Sequence, residues 1–135
     1  MRFLVAACLV LALAAPPGLA ERQTLPDVDA EPVRPPQPVF PPQAAELGIS
    51  GICAVIFDVD TLGRTGNVRA YCTHTAFCSS SVAAMNAVRF KPARRDGRIV
   101  ARANVVYPLE YQLEDTPLPD LNEIDPISCV DPNIF

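Results

Sequence analysis

The chain is poor in the groups that most chemistry draws on. Among its 135 residues there is one histidine, His74, and one lysine, Lys91. With no second histidine and no Gly-x-Ser-x-Gly elbow, the materials of a hydrolase triad are missing. A basic surplus is missing too: 11 Lys and Arg face 15 Asp and Glu, for a formal charge of −4. General nucleic-acid binding normally needs the opposite balance. The length leaves room for one small domain plus tails and excludes a large multidomain enzyme. Beyond the N-terminus no apolar run is long enough to cross a membrane, and no internal repeat is evident.

What is present begins with an address. Arg2 precedes an apolar run from Phe3 to Ala15, and Pro16-Pro17-Gly18-Leu19-Ala20 follows with small residues suited to cleavage. This pattern predicts a secretory signal over residues 1–20, cut after Ala20. Thirteen helical residues rise roughly 20 Å, short of the roughly 30 Å hydrocarbon core, which makes a retained inner-membrane anchor the weaker alternative. Cys8 has almost no apolar segment before it, so lipidation is set aside. Loss of Arg2 with the signal takes the charge from −4 to −5, and loss of Cys8 leaves four cysteines. An even number in an exported chain favours two disulfides.

The mature chain divides by composition. Seven of the seventeen residues from Pro26 to Pro42 are proline, interspersed with Asp27, Asp29, Glu31 and Arg34. Such a stretch is expected to form neither helix nor ladder, and residues 21–38 read as an extended spacer or a disordered leader. At the other end, Glu114 to Phe135 holds six acidic residues, no basic ones and four prolines, and reads as an irregular tail over 114–135. The folded part is then residues 39–113, a domain small enough to need staples.

Within it, Pro42 to Leu47 followed by Gly48 predicts a short helix. Ile52 to Asp60 and Gly66 to Cys72 read as strands joined through Thr61-Leu62-Gly63-Arg64-Thr65. Ser79 to Val88 opens on three serines able to cap and places Val82, Met85 and Val88 at helical spacing. Ile99 to Leu113 reads as a long closing strand. A hairpin centred on Leu62 and Gly63 sets Phe57 opposite Val68, Val55 opposite Ala70 and Cys53 opposite Cys72. Opposed Cβ atoms lie about 4.5–5.5 Å apart, near what a disulfide closes, so Cys53 is paired with Cys72 and Cys78 is left for Cys129.

Three clusters invite chemistry. Ala54 to Thr61 ends in Asp58-x-Asp60-x-Thr61, which resembles the first motif of haloacid dehalogenase-like phosphatases, whose two aspartates act as nucleophile and acid/base. Only about fifty folded residues follow, so the favoured reading is an amphipathic strand entering a turn, with no catalytic residues. Cys72, His74 and Cys78, with Cys53, could be drawn as a zinc set, but the spacing matches no strong pattern and no metal is assigned. Arg89, Lys91, Arg94, Arg95, Arg98 and Arg102 surround Asp96-Gly97: either a solvated turn or a dock for an acidic partner or for the chain's own acidic tail.

Read in order, the pieces carry a resemblance. Phe40-Pro41-Pro42-Gln43-Ala44-Ala45-Glu46-Leu47-Gly48-Ile49-Ser50-Gly51, Asp60-Thr61-Leu62-Gly63-Arg64, and Ala84-Met85-Asn86-Ala87-Val88-Arg89-Phe90-Lys91-Pro92-Ala93-Arg94-Arg95-Asp96-Gly97 together resemble the C-terminal domain of TonB energy transducers. The resemblance covers about residues 39–113, and the Cys53 and Cys72 pair looks like that of a subgroup. It implies a two-layer α+β domain, an antiparallel three-stranded sheet with two helices on one face, in the order helix, strand, strand, helix, strand. It also implies a periplasmic, non-enzymatic, cofactor-free module that grips an extended segment of an outer-membrane transporter by strand addition. The matching edge is the closing strand: Asn104, Val105, Val106, Tyr107, Leu109 and Tyr111, with Pro108 removing one donor. Departures from the family are the cleavable-looking leader, the short spacer, Phe40 where tyrosine is usual, and the added acidic tail. Binding carries over from the resemblance more readily than force transmission does.

Overall fold

A computed structural model describes residues 25–129 and the single residue Gly18. The expected export signal, Gly18 apart, and with it Cys8, and the last six residues lie outside the described residues. Among the described residues no helix is long and apolar enough to cross a membrane.

The elements run β1 Glu31–Pro32, α1 Pro42–Leu47, β2 Gly51–Val59, β3 Thr65–Cys72, a 3-10 turn Thr75–Phe77, α2 Cys78–Ala87, β4 Phe90–Lys91, β5 Ala93–Arg95, β6 Arg98–Val100, β7 Arg102–Tyr111 and β8 Ile127–Cys129. The main sheet has four antiparallel strands in the order β7, β2, β3, β8. Two small ladders, β1 with β4 and β5 with β6, flank it. The chain is thus α+β with two α-helices, as expected, but the sheet has a fourth strand drawn from the tail. The long closing strand is also divided, because the chain breaks at Ala101 between β6 and β7.

Why β2 is central follows from its alternation. Gly51, Cys53, Val55, Phe57 and Val59 are buried while Ile52, Ala54, Ile56 and Asp58 are half-buried. The buried row meets Ala44 of α1, Phe77 of the 3-10 turn and Met85 of α2 in one cluster. Period-2 burial on one face is what a sheet covered on one side demands. Phe57 and Phe90 pack with ring centroids 5.2 Å apart, so the Arg-Phe-Lys-Pro-Ala segment closes the core from below the hairpin. Phe40 sets its edge against Phe77 and Tyr111, each at 6.0 Å.

Local chemistry explains the ends. Gly48 takes φ 64° and its N–H reaches back to the last turn of α1, the left-handed cap that only a residue without Cβ adopts freely. Gly63, at φ 77°, is tied to the β4 segment, because its carbonyl accepts from Phe90 N at 2.9 Å. A Cβ there would sit 1.9 Å from the Phe90 carbonyl oxygen, so no side chain fits.

The three serines expected to cap α2 lie inside its first turn and do not cap it. The helix grows out of the 3-10 turn with Phe77 at its N-cap and no side-chain bond. Ser81 is fully buried and shares a 2.7 Å hydrogen bond with Tyr111 Oη, which in turn donates to Ser80 Oγ at 3.1 Å. Tertiary partners outcompete the local cap: these serines fasten α2 to the end of β7.

The hairpin register holds from Cys53↔Cys72 through Val55↔Ala70 to Ile56↔Arg69 and then slips, giving Asp58↔Gly66 and Val59↔Thr65 in place of Phe57 opposite Val68. The β2–β7 register slips at the same height, between Phe57↔Val105 and Val59↔Arg102. In each case the outer strand carries the extra residue, and Asn67 and Asn104 both have positive φ, 49° and 54°.

The spacer is not wholly apart from the domain. Val28 bridges Arg94, and Glu31 and Pro32 pair with Lys91 and Phe90, a short ladder where the sequence predicted none. Two residues suffice because Pro32 needs no donor at the edge of a two-stranded ladder.

Candidate strand-binding edge

β7 forms one side of the sheet, and no strand pairs with its outer edge among the described residues. Which groups it presents follows from its neighbours. Cys53 and Cys72 have Cα atoms 4.1 Å apart, the close spacing of a non-hydrogen-bonded pair. Ile52 O accepts from Thr73 N at 3.0 Å, so it is Ile52 that bonds toward β3 and Cys53 that bonds toward β7. Cys53 lies opposite Leu109. Alternation then turns the backbone of Val106, Pro108 and Glu110 outward. Val106 and Glu110 offer a donor and an acceptor each; Pro108 offers an acceptor alone.

The side chains divide accordingly. Leu109 and Tyr111 are buried against the helices and Val105 and Tyr107 half-buried beside them. Val106, Pro108, Glu110 and Asn104 are exposed on the other face. Asn104 sits in the bulge, and its N–H is already taken by Asp58 Oδ1 at 2.9 Å. The edge therefore begins beyond Asn104.

Asp58 explains the bulges. Its other oxygen accepts from Asn67 Nδ2 at 2.6 Å, so one carboxylate clips the extra residue of both outer strands to β2. These bonds, led by Asn67, hold its carboxyl below the usual carboxylate range. Asp60 caps the turn instead. It accepts from Leu62 N at 2.9 Å and Arg64 N at 2.8 Å, and it pairs with Arg64 Nε at 2.8 Å, which also lowers its pKa. Both aspartates of the Asp-x-Asp-x-Thr string are thus accounted for as fasteners. His74 acts likewise: its ring Nδ1 accepts from Ala76 N at 3.1 Å at the start of the 3-10 turn.

On the opposite side a short strand covers the end of β3. Ile127, Ser128 and Cys129 of β8 pair with Cys72, Tyr71 and Ala70 of β3. Disulfides join Cys53 to Cys72 and Cys78 to Cys129, the two pairings expected. The sulfurs of Cys72, Cys78 and Cys129 lie within 4.8 Å of one another, each committed to a bridge.

Among the described residues, the six basic residues form no ion pair with the acidic tail. Arg89, Lys91, Arg94 and Arg98 are exposed around β4 to β6. Arg102 pairs with Asp29 through Nε at 2.6 Å and Nη2 at 3.1 Å, and Arg95 approaches Asp27 at 3.9 Å. Asp27 Oδ1 also accepts from the backbone N of Asp96 at 3.0 Å. The acidic segment that docks on the basic turn is the N-terminal spacer. Its bond to Arg102, foremost, lowers the Asp29 pKa to about 2.

An antiparallel sheet with helices packed on its central strand, and a long outer strand whose far edge has no neighbour among the described residues, defines the α+β class of the domain. Residues 36–113, more than half of the chain, match the family described as Gram-negative bacterial TonB protein C-terminal, and the chain belongs to that family. No curated protein matches the chain. The family is a non-enzymatic domain associated with envelope transport and generally engages outer-membrane transporters. The match stops at Leu113, so β8 lies outside it, as do Asp27 and Asp29.

Proposed function

We propose that this chain is an exported, non-enzymatic module of the cell envelope, acting in the periplasm, whose residues 39–113 bind an extended segment of an outer-membrane transporter by strand addition along β7. The observation that carries this reading is the unpaired outer edge of β7, a strand of 10 residues, where the outermost strand on the other side, β8, has 3. A guest strand exchanges two hydrogen bonds with Val106 and two with Glu110, and gives one to the Pro108 carbonyl. Tyr107 and Val105 offer half-buried apolar surface to its alternate side chains. Backbone pairing supplies affinity and these apolar surfaces supply selectivity.

The test is a titration of the protein with peptides from transporter N-terminal segments, observed at backbone amides. Shifts concentrated at Val106 and Glu110, with Ala70 and Cys72 unmoved, support the reading. Saturating peptide that leaves Val106 and Glu110 unmoved sinks it and leaves a structural envelope protein without a peptide partner.

A further inference from the structure

The two disulfides touch. Cys129 Sγ lies 3.6 Å from Cys72 Sγ, although each sulfur belongs to a different bridge. The contact arises because Cys129 pairs with Ala70 on β3, one step diagonal to Cys72 on the same face. Exposure separates the bridges: Cys53 and Cys72 are fully buried, whereas Cys78 and Cys129 are half-buried. A reagent reaches the outer bridge first, and the sulfur it liberates already abuts the inner one.

We propose that Cys72, Cys78 and Cys129 form one thiol–disulfide exchange centre whose substrate is a dithiol reductant. A thiolate of the dithiol attacks Cys78 Sγ and expels Cys129 as thiolate. Cys129 then attacks Cys72 Sγ, the Cys53–Cys72 bond breaks, and Cys53 leaves with the electron pair. The second thiol of the reductant closes its own disulfide and releases Cys78. The two protons of the dithiol finish on Cys53 and Cys78, two electrons have entered the protein, and a Cys72–Cys129 bridge remains. Exchange of this kind needs only sulfurs in contact and an attacking thiolate.

Loop length does not separate the two isomers, because the fold already holds the sulfurs of Cys72, Cys78 and Cys129 within 4.8 Å of one another. Burial favours the product. Cys53 is left as a buried thiol in an apolar core, a setting that suits free cysteine. The outcome is that β8 stays tied to β3 after reduction, while α2 is released from the tail.

The experiment uses the oxidised full chain carrying Cys8→Ser, treated with limiting dithiothreitol, acid-quenched, alkylated and mapped by mass spectrometry. The expected two-electron-reduced species carries label on Cys53 and Cys78 and a Cys72–Cys129 bridge, and it outweighs the species that keeps Cys53–Cys72. Label on Cys78 and Cys129 with the inner bridge intact, or label on Cys53 and Cys72 with the outer one intact, overturns the proposal. Cys78→Ser in the same background gives an independent reading, because it leaves Cys129 free without any reductant. Its label is expected mainly on Cys53; label confined to Cys129 overturns the proposal equally.

Discussion

The two strands that flank β2 meet the same physical problem and receive opposite treatments. An unpaired edge presents donors and acceptors to any extended chain. On the β3 side the molecule supplies that chain itself, as β8, and anchors it covalently through Cys78–Cys129. On the β7 side the edge stays open, with its guest-pairing capacity thinned at one point by Pro108. A guest strand finds an outer strand of 10 residues at β7 and one of 3 at β8, so the proposed binding favours β7.

The sharpest way to break this contrast is to cut the anchor. Cys78→Ser together with Cys129→Ser removes the outer bridge and precludes its exchange with the inner one. The bridge closes a separation of 51 residues, and a loss of about 2–4 kcal/mol in denaturant unfolding is expected. Amide exchange should accelerate at Ala70 and Cys72, whose backbones pair with β8, while Val106 and Glu110 keep the fast exchange of an open edge. Unchanged protection at Ala70 and Cys72 would show that β8 holds its place without the bridge.

Smaller in stability but decisive for binding is Val106→Pro. It deletes one of the two outward N–H groups of β7 without touching the bonds to β2. A charge-neutral hydrogen bond contributes about 0.5–1.5 kcal/mol net, so guest affinity should fall several-fold to tenfold with little change in unfolding. A titration that returned the parental affinity would place the guest elsewhere.

Tyr111→Phe tests how the open strand is held at its far end. Ser81 is buried and its hydroxyl partner is Tyr111 Oη. Leaving that hydroxyl unpartnered costs about 1–2 kcal/mol in chemical denaturation. Ser81→Ala combined with Tyr111→Phe should recover part of the loss, since neither polar group is then stranded.

How much of this was legible in the sequence varies with how local the cause is. Helix α1 could be read with its bounds because proline at its start and Gly48 at its end are local signals. The register from Cys53 to Ile56 followed from counting outward from the turn. It failed at Phe57 because the extra residues are Asn67 and Asn104, each clipped by Asp58 from a different strand. The asparagine at position 67 was a signal, since that residue tolerates positive φ, but its partner is remote in sequence. Asp58 looked catalytic for the same reason: its structural role exists only once three strands are side by side. Strand β8 escaped notice because three residues in a proline-rich acidic tail carry no period. Only the expected Cys78–Cys129 bridge hinted at it. As for the basic turn, two acidic segments competed for it, and composition does not decide between them. Geometry does: the chain enters β4 and β5 beside the spacer, while the bridge carries the tail to the other edge.

That last pairing yields the smallest effect and the finest test of the contrast between edges. Asp29 fastens the spacer to Arg102, the first residue of β7, so the head of the open edge is held by an ion pair where the strand covering β3 is held by a covalent bond. The pair is exposed, with Asp29 at 60% and Arg102 at 37%, so solvent screening keeps its contribution small. The sign is set by the lowered carboxyl: stability from the pair is present above the ordinary Asp value of 3.8 and is lost as pH falls toward about 2. Asp29→Asn should therefore unfold slightly more readily than the parent at pH 6 in low salt. The gap should close both at pH 2 and in molar salt, where the Debye length contracts to about 3 Å. A gap that persisted under both conditions would mean that packing of the spacer along β4, rather than charge, holds the head of β7.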